Sequence, residues 1–541
     1  MFKSISCENV TVLGDLGRRL ISNAARLESD VYRPDMVYKG EDYDWPADFE
    51  GRLLLALVRQ LETTHREGAY MREIFDGVYD RMNGKGYLGR VLFGGVFDEQ
   101  QLSGHNWLLR ALLEYARYAG DKRAENAALR IIENLYLPLR GAYRAYPTDP
   151  SVREKGGGKA GSRTDACVNG WILSTDIGCA YMCLDALGTA YRDLRVPGLC
   201  DLLCEMTECF SSLDLMGLSV QTHAALSAVR GMIRFYEATG DKKLLDRAAE
   251  IFTFYTENGM TENYANHNWF GRPLWTEPCA IADSLIAALE LYKLTGDVKR
   301  FETAQRIYYG AFCRAQRSNG GFGCDNCVGA GSPLLTVSGD GGDAYWCCTM
   351  RGAEGLAGAA GAIALEKDGV IHMALYSPAV IKLPGCTIDL RTSYPDEGKV
   401  SLDVKGTPPK GVIALYLPSY ARAGARLCVN GEEKAIKEEN GYVIADVPGS
   451  GGKVTLDFDI PVLKRECRKG SEKTGYAKYE HGFVLLGARS EEEAEIRGEM
   501  ISRAGKRTFK AGKITLSDLC DACDIPMEKL VFDKRRILFR E

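Results

Sequence analysis

Through most of the first two thirds of the chain, apolar residues recur at three- and four-residue spacing. LLLALVRQLETTH, NWLLRALLEYARYAG, YMCLDALGTAYRDL, LSAVRGMIRFYEATG and IADSLIAALELYKLTG each carry one apolar stripe of helical period. Three helical segments end alike, in YARYAGDKR, FYEATGDKK and LYKLTGDVKR. Gly120, Gly240 and Gly296 suit a left-handed C-cap, and Asp121, Asp241 and Asp297 suit the cap of a following helix. The pattern predicts a helical hairpin repeated at irregular spacing, with YRDLRVPGLCDLL as a degenerate copy. Irregular hairpins build either an open solenoid or a closed double ring, and long loops between them favour the ring, with a pocket at one end.

Near residue 366 the period falls to two. GVIHMALYSPAVIKL, CTIDLRTSY, KVSLDVKG, GVIALYLP, ARLCVNGEE, YVIADV and KVTLDFDIP alternate apolar and polar positions, divided by turn-rich PDEGK, GTPPKG and PGSGG. Short strands at this spacing predict a β-sandwich. From about Lys464 the pattern is mixed: EHGFVLLGA reads as a strand and SEEEAEIRGEMISRAGK as a charged helix. The expected fold is mainly α with β, an (α/α)6-type barrel followed by a β-sandwich. Residues 1–365 form the catalytic barrel, 366–465 the sandwich and 466–541 a small mixed segment, with the first ~15 residues free to join the sandwich. All six tryptophans lie at or before Trp346, which places a pocket in the helical part.

Composition narrows the function classes. With 45% hydrophobic and 26% charged residues the chain of 541 residues is ordinary globular protein, and a net charge of -5 gives no global basic field for nucleic acid. No run approaches the ~18 apolar residues of a membrane span. The N-terminal MFKSISCENVTVLGDLGRRL has no apolar leader core, so a cytoplasmic protein without membrane partners is expected. The departure is cysteine, at 18 residues. In a reducing compartment these are buried small residues, metal ligands or a nucleophile, and burial is the default. Cys179/Cys183 and Cys200/Cys204 lie in apolar stripes and fit that default.

Other cysteines stand in chemical company. In Trp275-Thr276-Glu277-Pro278-Cys279 a carboxylate and a thiol sit two apart at a helix entry, and Tyr345-Trp346-Cys347-Cys348-Thr349 adds two adjacent thiols. Together they form a sulfur and oxygen set suited to tetrahedral zinc, against the plain reading of four unrelated buried side chains. A glycine-rich loop carries Cys324-Asp325-Asn326-Cys327, which can supply ligands in place of Cys279 or Glu277, build a separate site or border a pocket. Cys520 and Cys523 make a further C-x-x-C pair, half of a zinc site at most. Asp340, Asp343, Trp269, Trp275 and Trp346 are candidates for the pocket lining, tryptophan faces being suited to sugars.

E-x-C followed by C-C, in a helical-hairpin region ahead of β-sandwich segments, resembles glycoside hydrolase family 127, the β-L-arabinofuranosidase-like DUF1680 group. The resemblance covers roughly residues 1–490. It implies zinc held by Glu277, Cys279, Cys347 and Cys348, with Cys347 as the nucleophile of a retaining glycosidase. It also implies sugar-binding roles for His105 in Ser103-Gly104-His105 and for His223 in Thr222-His223. The chain departs from the family at three places. Ser174-Thr175-Asp176-Ile177-Gly178 stands where the family has a third histidine, and Thr349-Met350-Arg351 replaces Pro-Pro-Asn after the cysteine pair. The family's Gly-Glu-Arg segment is replaced by residues 261–270, where Glu262 falls at the spacing of the acid/base, and His267 and Trp269 join the candidate sugar contacts. Glu277 is the second acid/base candidate. These departures leave the sugar open, L-arabinofuranose or a related glycan sugar. The expected partner is a carbohydrate, in a monomer or homodimer. Two other readings remain: a non-catalytic carbohydrate-binding or scaffold protein with structural zinc, and an epimerase using His105 and His223, which leaves Glu277 and the cysteines idle.

Overall fold

The computed structural model describes residues 1–38, 43–155, 160–467, 475–497 and 501–540. Among them are twelve α-helices of ten or more residues. These are α1 (Gly14–Leu27), α2 (Asp48–Thr64), α3 (Met71–Arg81), α4 (Glu99–Ala119), α5 (Lys122–Ile131) and α6 (Leu184–Leu194). The second six are α7 (Leu199–Ser211), α8 (Thr222–Thr239), α9 (Lys242–Asn258), α10 (Pro278–Thr295), α11 (Val298–Ile307) and α12 (Cys348–Ala360).

The even-numbered helices pack in order, α2 on α4, α4 on α6, α6 on α8, α8 on α10 and α10 on α12, and α12 returns to α2. The ring is closed. Odd-numbered helices pack outside it, as α5 does on α4 and α11 on α10. The sequence explains which is which. α8 and α10 are buried on nearly every side, whereas α1 and α5 bury one stripe and expose the other. The predicted hairpin punctuation is present. Gly120, Gly240 and Gly296 adopt φ of 67°, 74° and 74°, and the Asp121, Asp241 and Asp297 side chains accept from the first-turn amides of α5, α9 and α11. The ring needs small residues where backbones meet. A Cβ on Gly231 of α8 would lie 2.3 Å from the Leu184 carbonyl carbon of α6.

The ring interior is not purely apolar. Arg110, Arg230, Arg234 and Arg351 interleave with Asp185, Asp283 and Glu354, all buried. Fixed charge pairs in such a place give directional contacts between neighbouring inner helices.

Two antiparallel-rich sheets follow the ring and share its continuous apolar core. One has six strands and the other seven, with alternating burial along strands such as Gly398–Gly406. The N-terminus joins both: Lys3–Ser4 pairs with Ala364–Lys367, and Val10–Val12 pairs with Ala379–Leu383. A third sheet occupies the C-terminal part and also takes in Leu334–Leu335, which pairs with Arg535–Arg536.

Two expectations are corrected. The charged segment from Ser490 contains no helix among its described residues; Ile501–Gly505 is a β-strand paired with Thr508–Ala511, because cross-strand partners outweigh local propensity there. Residues 498–500 of that segment lie outside the described residues. Cys179 and Cys183 are buried as expected, but Cys204 is exposed and Cys200 only half-buried. They lie on outer helix α7, whose buried stripe runs through Leu199, Leu202, Leu203, Met206 and Phe210 instead.

Candidate active site

The cavity at one end of the ring has a volume of ≈ 270 Å³. It opens over the N-terminal ends of four inner helices. Asp48 begins α2, and Gln221, Glu277 and Cys347 precede the first turns of α8, α10 and α12. Free amides and the positive ends of the helix dipoles therefore point at this space, a favourable setting for a thiolate or carboxylate. Trp45, Phe49, Arg52, Asp176, His223 and Trp346 complete much of the wall.

The sequence motifs meet here. Cys279 Sγ lies 3.5 Å from Cys348 Sγ, and Cys347 Sγ lies 3.4 Å from Cys348 Sγ. Glu277 stands beside them, with Oε1 3.3 Å from His223 Nδ1 and Oε2 accepting from Gln221 Nε2 at 3.3 Å. Asn268, with its amide nitrogen towards Glu277, donates to the same oxygen at 2.5 Å and accepts from Trp275 Nε1 at 3.3 Å. His223 is held from both sides, its Nε2 lying 3.2 Å from Asp283 Oδ2, and its ring stacks on Trp107 with centroids 5.5 Å apart.

Two overlapping groups in this cluster could hold a metal ion: Cys279, Cys347 and Cys348, and His223, Glu277 and Cys279. The spacing fits. A tetrahedral ion with metal–sulfur bonds near 2.3 Å keeps its sulfurs roughly 3.8 Å apart, close to the separations found. Cys324 also comes within hydrogen-bonding range of Cys348. Cys327 instead donates to the Asn266 carbonyl at 3.6 Å, and Cys520 to the Tyr309 carbonyl at 3.3 Å, so neither joins the cluster.

The environment separates the thiols. Hydrogen bonds from Cys279 and Cys348 stabilise the Cys347 thiolate against burial, and with Arg52 they lower its pKa to about 6. Burial pushes Cys279 up to about 12 and Cys348 well above the usual thiol range. Burial also raises the Glu277 carboxyl, against the pull of His223. For His223 burial opposes the charge, but Glu277 and Asp283 prevail and raise its pKa to about 9.

Four expected site residues lie elsewhere. Glu262 does not line the cavity; its carboxylate pairs with Lys478 Nζ at 2.9 Å, on a strand of the C-terminal sheet, because residues 261–270 fold back against that sheet. His105 is fully buried inside α4, where Nε2 accepts from the Leu88 amide at 3.0 Å and Nδ1 faces the Gln101 carbonyl at 2.8 Å. Burial lowers its pKa to about 4, so it is a neutral packing residue. Trp269 is buried edge-on against Trp275, and His267 is in the same inward-folded loop, its carbonyl accepting from Thr222 Oγ1 at 2.7 Å; neither lines the cavity. Trp346 does, and it stands at the lip with 57% of its surface exposed. Asp340, Asp343 and Trp275 are outside the lining as well.

Arg52, Gln221 and Asp176 are among the wall residues that were not singled out from the sequence. Arg52 bridges Asp48 Oδ2 at 2.8 Å and Cys279 Sγ at 3.5 Å while stacking over Trp107. Gln221 holds Glu277, and Asp176 faces the cavity from the segment that replaces the family's third histidine. The available signal was an arginine inside the apolar GRLLLALV run, and a carboxylate exchanged for an imidazole.

Residues 370–460 match the family model described as the beta-L-arabinofuranosidase GH127 middle domain. A solved GH127 beta-arabinofuranosidase superposes with a TM-score of 0.71 at 13% identity, over 100% of this chain and 98% of that one. The chain shares the fold of this GH127 structure over its full length. A structure titled only as a glycoside hydrolase gives the same TM-score of 0.71, also at 13% identity, covering 100% and 98% of the two chains. The GH127 beta-L-arabinofuranosidase Ara127N-Se from Geobacillus stearothermophilus T6 gives 0.64 at 15% identity, covering 96% and 94%. No curated protein matches by sequence. The GH127 resemblance implied by the cysteine motifs, and the barrel with sheet domains expected from the hydrophobic pattern, are borne out. Among the described residues no helix is long and apolar enough to cross a membrane.

Proposed function

We propose that this protein is a glycoside hydrolase of the retaining type, with Cys347 as nucleophile and a β-L-arabinofuranoside or related glycan sugar as substrate. The observation that carries the reading is the Cys347 thiol itself. It sits in the cavity wall at the start of α12, against two further thiols and near Arg52, with its pKa lowered to about 6. A thiolate at neutral pH in a sugar-sized cavity is suited to attack an anomeric carbon.

In the first step a Cys347 Sγ–carbon bond forms as the bond to the departing oxygen breaks, and that oxygen receives a proton from a carboxylic acid. In the second, water attacks the same carbon, the carbon–sulfur bond breaks, and the proton lost by water goes to the carboxylate. Two displacements return the original anomeric configuration. Glu277, Cys279, Cys347 and Cys348 are the residues that would hold zinc. The ion, when bound, stabilises the thiolate form of its cysteine ligands. Trp346 offers an aromatic face at the cavity lip for the sugar or its aglycone.

The test is hydrolysis of a panel of aryl glycosides, beginning with furanosides, by the wild-type protein and by Cys347→Ala. The expected result is turnover lost in the variant by at least about 10³-fold with the fold intact. Undiminished turnover in Cys347→Ala would refute the nucleophile assignment. Sugar binding without turnover in the wild type would favour the non-catalytic carbohydrate-binding alternative.

A further inference from the structure

The glycosidase reading needs a proton carrier, and the acid/base candidate at the family's spacing, Glu262, is removed from the cavity by its ion pair with Lys478. The carboxyl groups that do line the cavity are Asp44, Asp48, Asp176 and Glu277. Asp44 is largely exposed. Asp48 is tied to Arg52 Nε at 2.8 Å. Both oxygens of Glu277 are engaged, one by His223 and the other by Gln221 and Asn268.

Asp48 is as buried as Asp176 and also has an unpartnered Oδ1, but its other oxygen is held by Arg52, and Asp176 has no such cation beside it among the described residues. The Asp176 residue surface is only 8% exposed, yet it reaches the cavity wall. The backbone fixes it: its amide donates to Ser174 Oγ at 3.2 Å, and Gly178 two residues on turns with φ 90°. The Gly161 amide donates to its carboxylate, whereas Oδ1 is buried with no hydrogen-bond partner among the described residues. Among the described residues no arginine or lysine stands at ion-pair distance from it. A buried carboxyl oxygen without a partner is costly unless a ligand or a proton satisfies it.

We propose that Asp176 is the proton-carrying carboxyl of this site, a role that rests on the glycosidase reading above. It gives its proton to the glycosidic oxygen as the carbon–oxygen bond breaks and Cys347 Sγ bonds to carbon. It takes a proton from water as the carbon–sulfur bond breaks and the new carbon–oxygen bond forms. Burial raises the Asp176 pKa, which favours the proton-bearing form that the first step needs.

The experiment compares wild type, Asp176→Ala and the isosteric Asp176→Asn, which keeps an acceptor for the Gly161 amide. Each is assayed on the aryl glycoside series that the wild type hydrolyses, with leaving groups from dinitrophenol to methoxyphenol, with and without azide. Glu262→Gln serves as the control outside the cavity, and thermal melts monitor folding. The expected result is a loss of about 10²–10⁴-fold on poor leaving groups, a much smaller loss on dinitrophenolate, and azide rescue giving the glycosyl azide in Asp176→Ala. An equal loss across all leaving groups in a folded variant, no loss at all, or the same steepening in Glu277→Gln with a flat Asp176→Asn would overturn the assignment while leaving the glycosidase reading in place. Absence of wild-type turnover on every glycoside would overturn both.

Discussion

Cys347 and Cys348 are neighbours in the chain, yet the fold gives their thiols opposite character. Cys348 lies inside the first turn of α12 and is buried, which holds it well above the usual thiol range, while Cys347 caps that turn, half-buried at the cavity, and falls to about 6. The identity of the two residues was legible as a motif, but which thiol faces the substrate space was decided by the helix start. Arg351, three residues on, shows the same limit. In the sequence it is a departure from the family. In the fold its guanidinium reaches Asp283 and Glu354 and stacks over Trp107, at the centre of the inner-ring charge network. Arg351→Ala leaves two buried carboxylates short of a cation, and a stability loss of about 3–5 kcal/mol is expected in urea unfolding, with Arg351→Lys losing less. Trp346→Ala is expected to raise KM several-fold and leave the melting temperature unchanged, since this side chain is mostly exposed at the lip.

The helices themselves were the most legible elements, because inner and outer members differ in how many of their faces are apolar. What the pattern did not carry was which residues each helix start presents. Asp48, Gln221, Glu277 and Cys347 are separated by up to 299 positions and converge only when the ring closes. The loop of residues 261–270 failed as a site for the same reason, since its destination is a strand of a sheet formed some 200 residues later. Tight ring contacts are tested by Gly231→Ala, where the added carbon meets the Leu184 backbone at 2.3 Å; a loss of about 1–3 kcal/mol is expected from thermal or urea melts. His105 gives α4 a pH signature. Its folded pKa of about 4 lies below the unfolded value near 6.5, so the unfolded chain binds the proton more readily. Its contribution is fully present above pH ~6.5 and is lost as pH falls towards 4, amounting to about 3 kcal/mol at most. His105→Gln, which can accept from Leu88 and donate to Gln101, is expected to flatten the acid limb of a plot of urea midpoint against pH. An unchanged limb would show that other groups set it.

At the scale of the whole molecule, the chain ends bind the ring to its sheets. The first strand pairs with Ala364–Lys367 and the second with Ala379–Leu383, so the segment before α1 belongs to both sheets behind the barrel. The C-terminal sheet reaches back through Glu480, which is fully buried and accepts from Tyr264 while pairing with Arg306 and Arg465 at 3.2 and 3.1 Å. These contacts brace the loop of residues 261–270, whose Asn266 and Asn268 position Glu277. Glu480→Ala is therefore expected to cost about 3–5 kcal/mol of stability, and to lower turnover further than its effect on folding accounts for. The sequence pattern announced the sheets by their alternation but not this bracing, which depends on a charged residue buried within a polar-rich strand.

A covalent link between sugar and Cys347 is what mass spectrometry of the trapped enzyme reads. Wild-type protein is quenched in acid during turnover of a dinitrophenyl glycoside, and the intact mass and peptide map are read together. The expected product is one glycosyl unit on the peptide bearing Cys347, accumulating most in Asp176→Ala and absent in Cys347→Ala. A glycosyl unit on a carboxylate instead, or full turnover in Cys347→Ala, would contradict it.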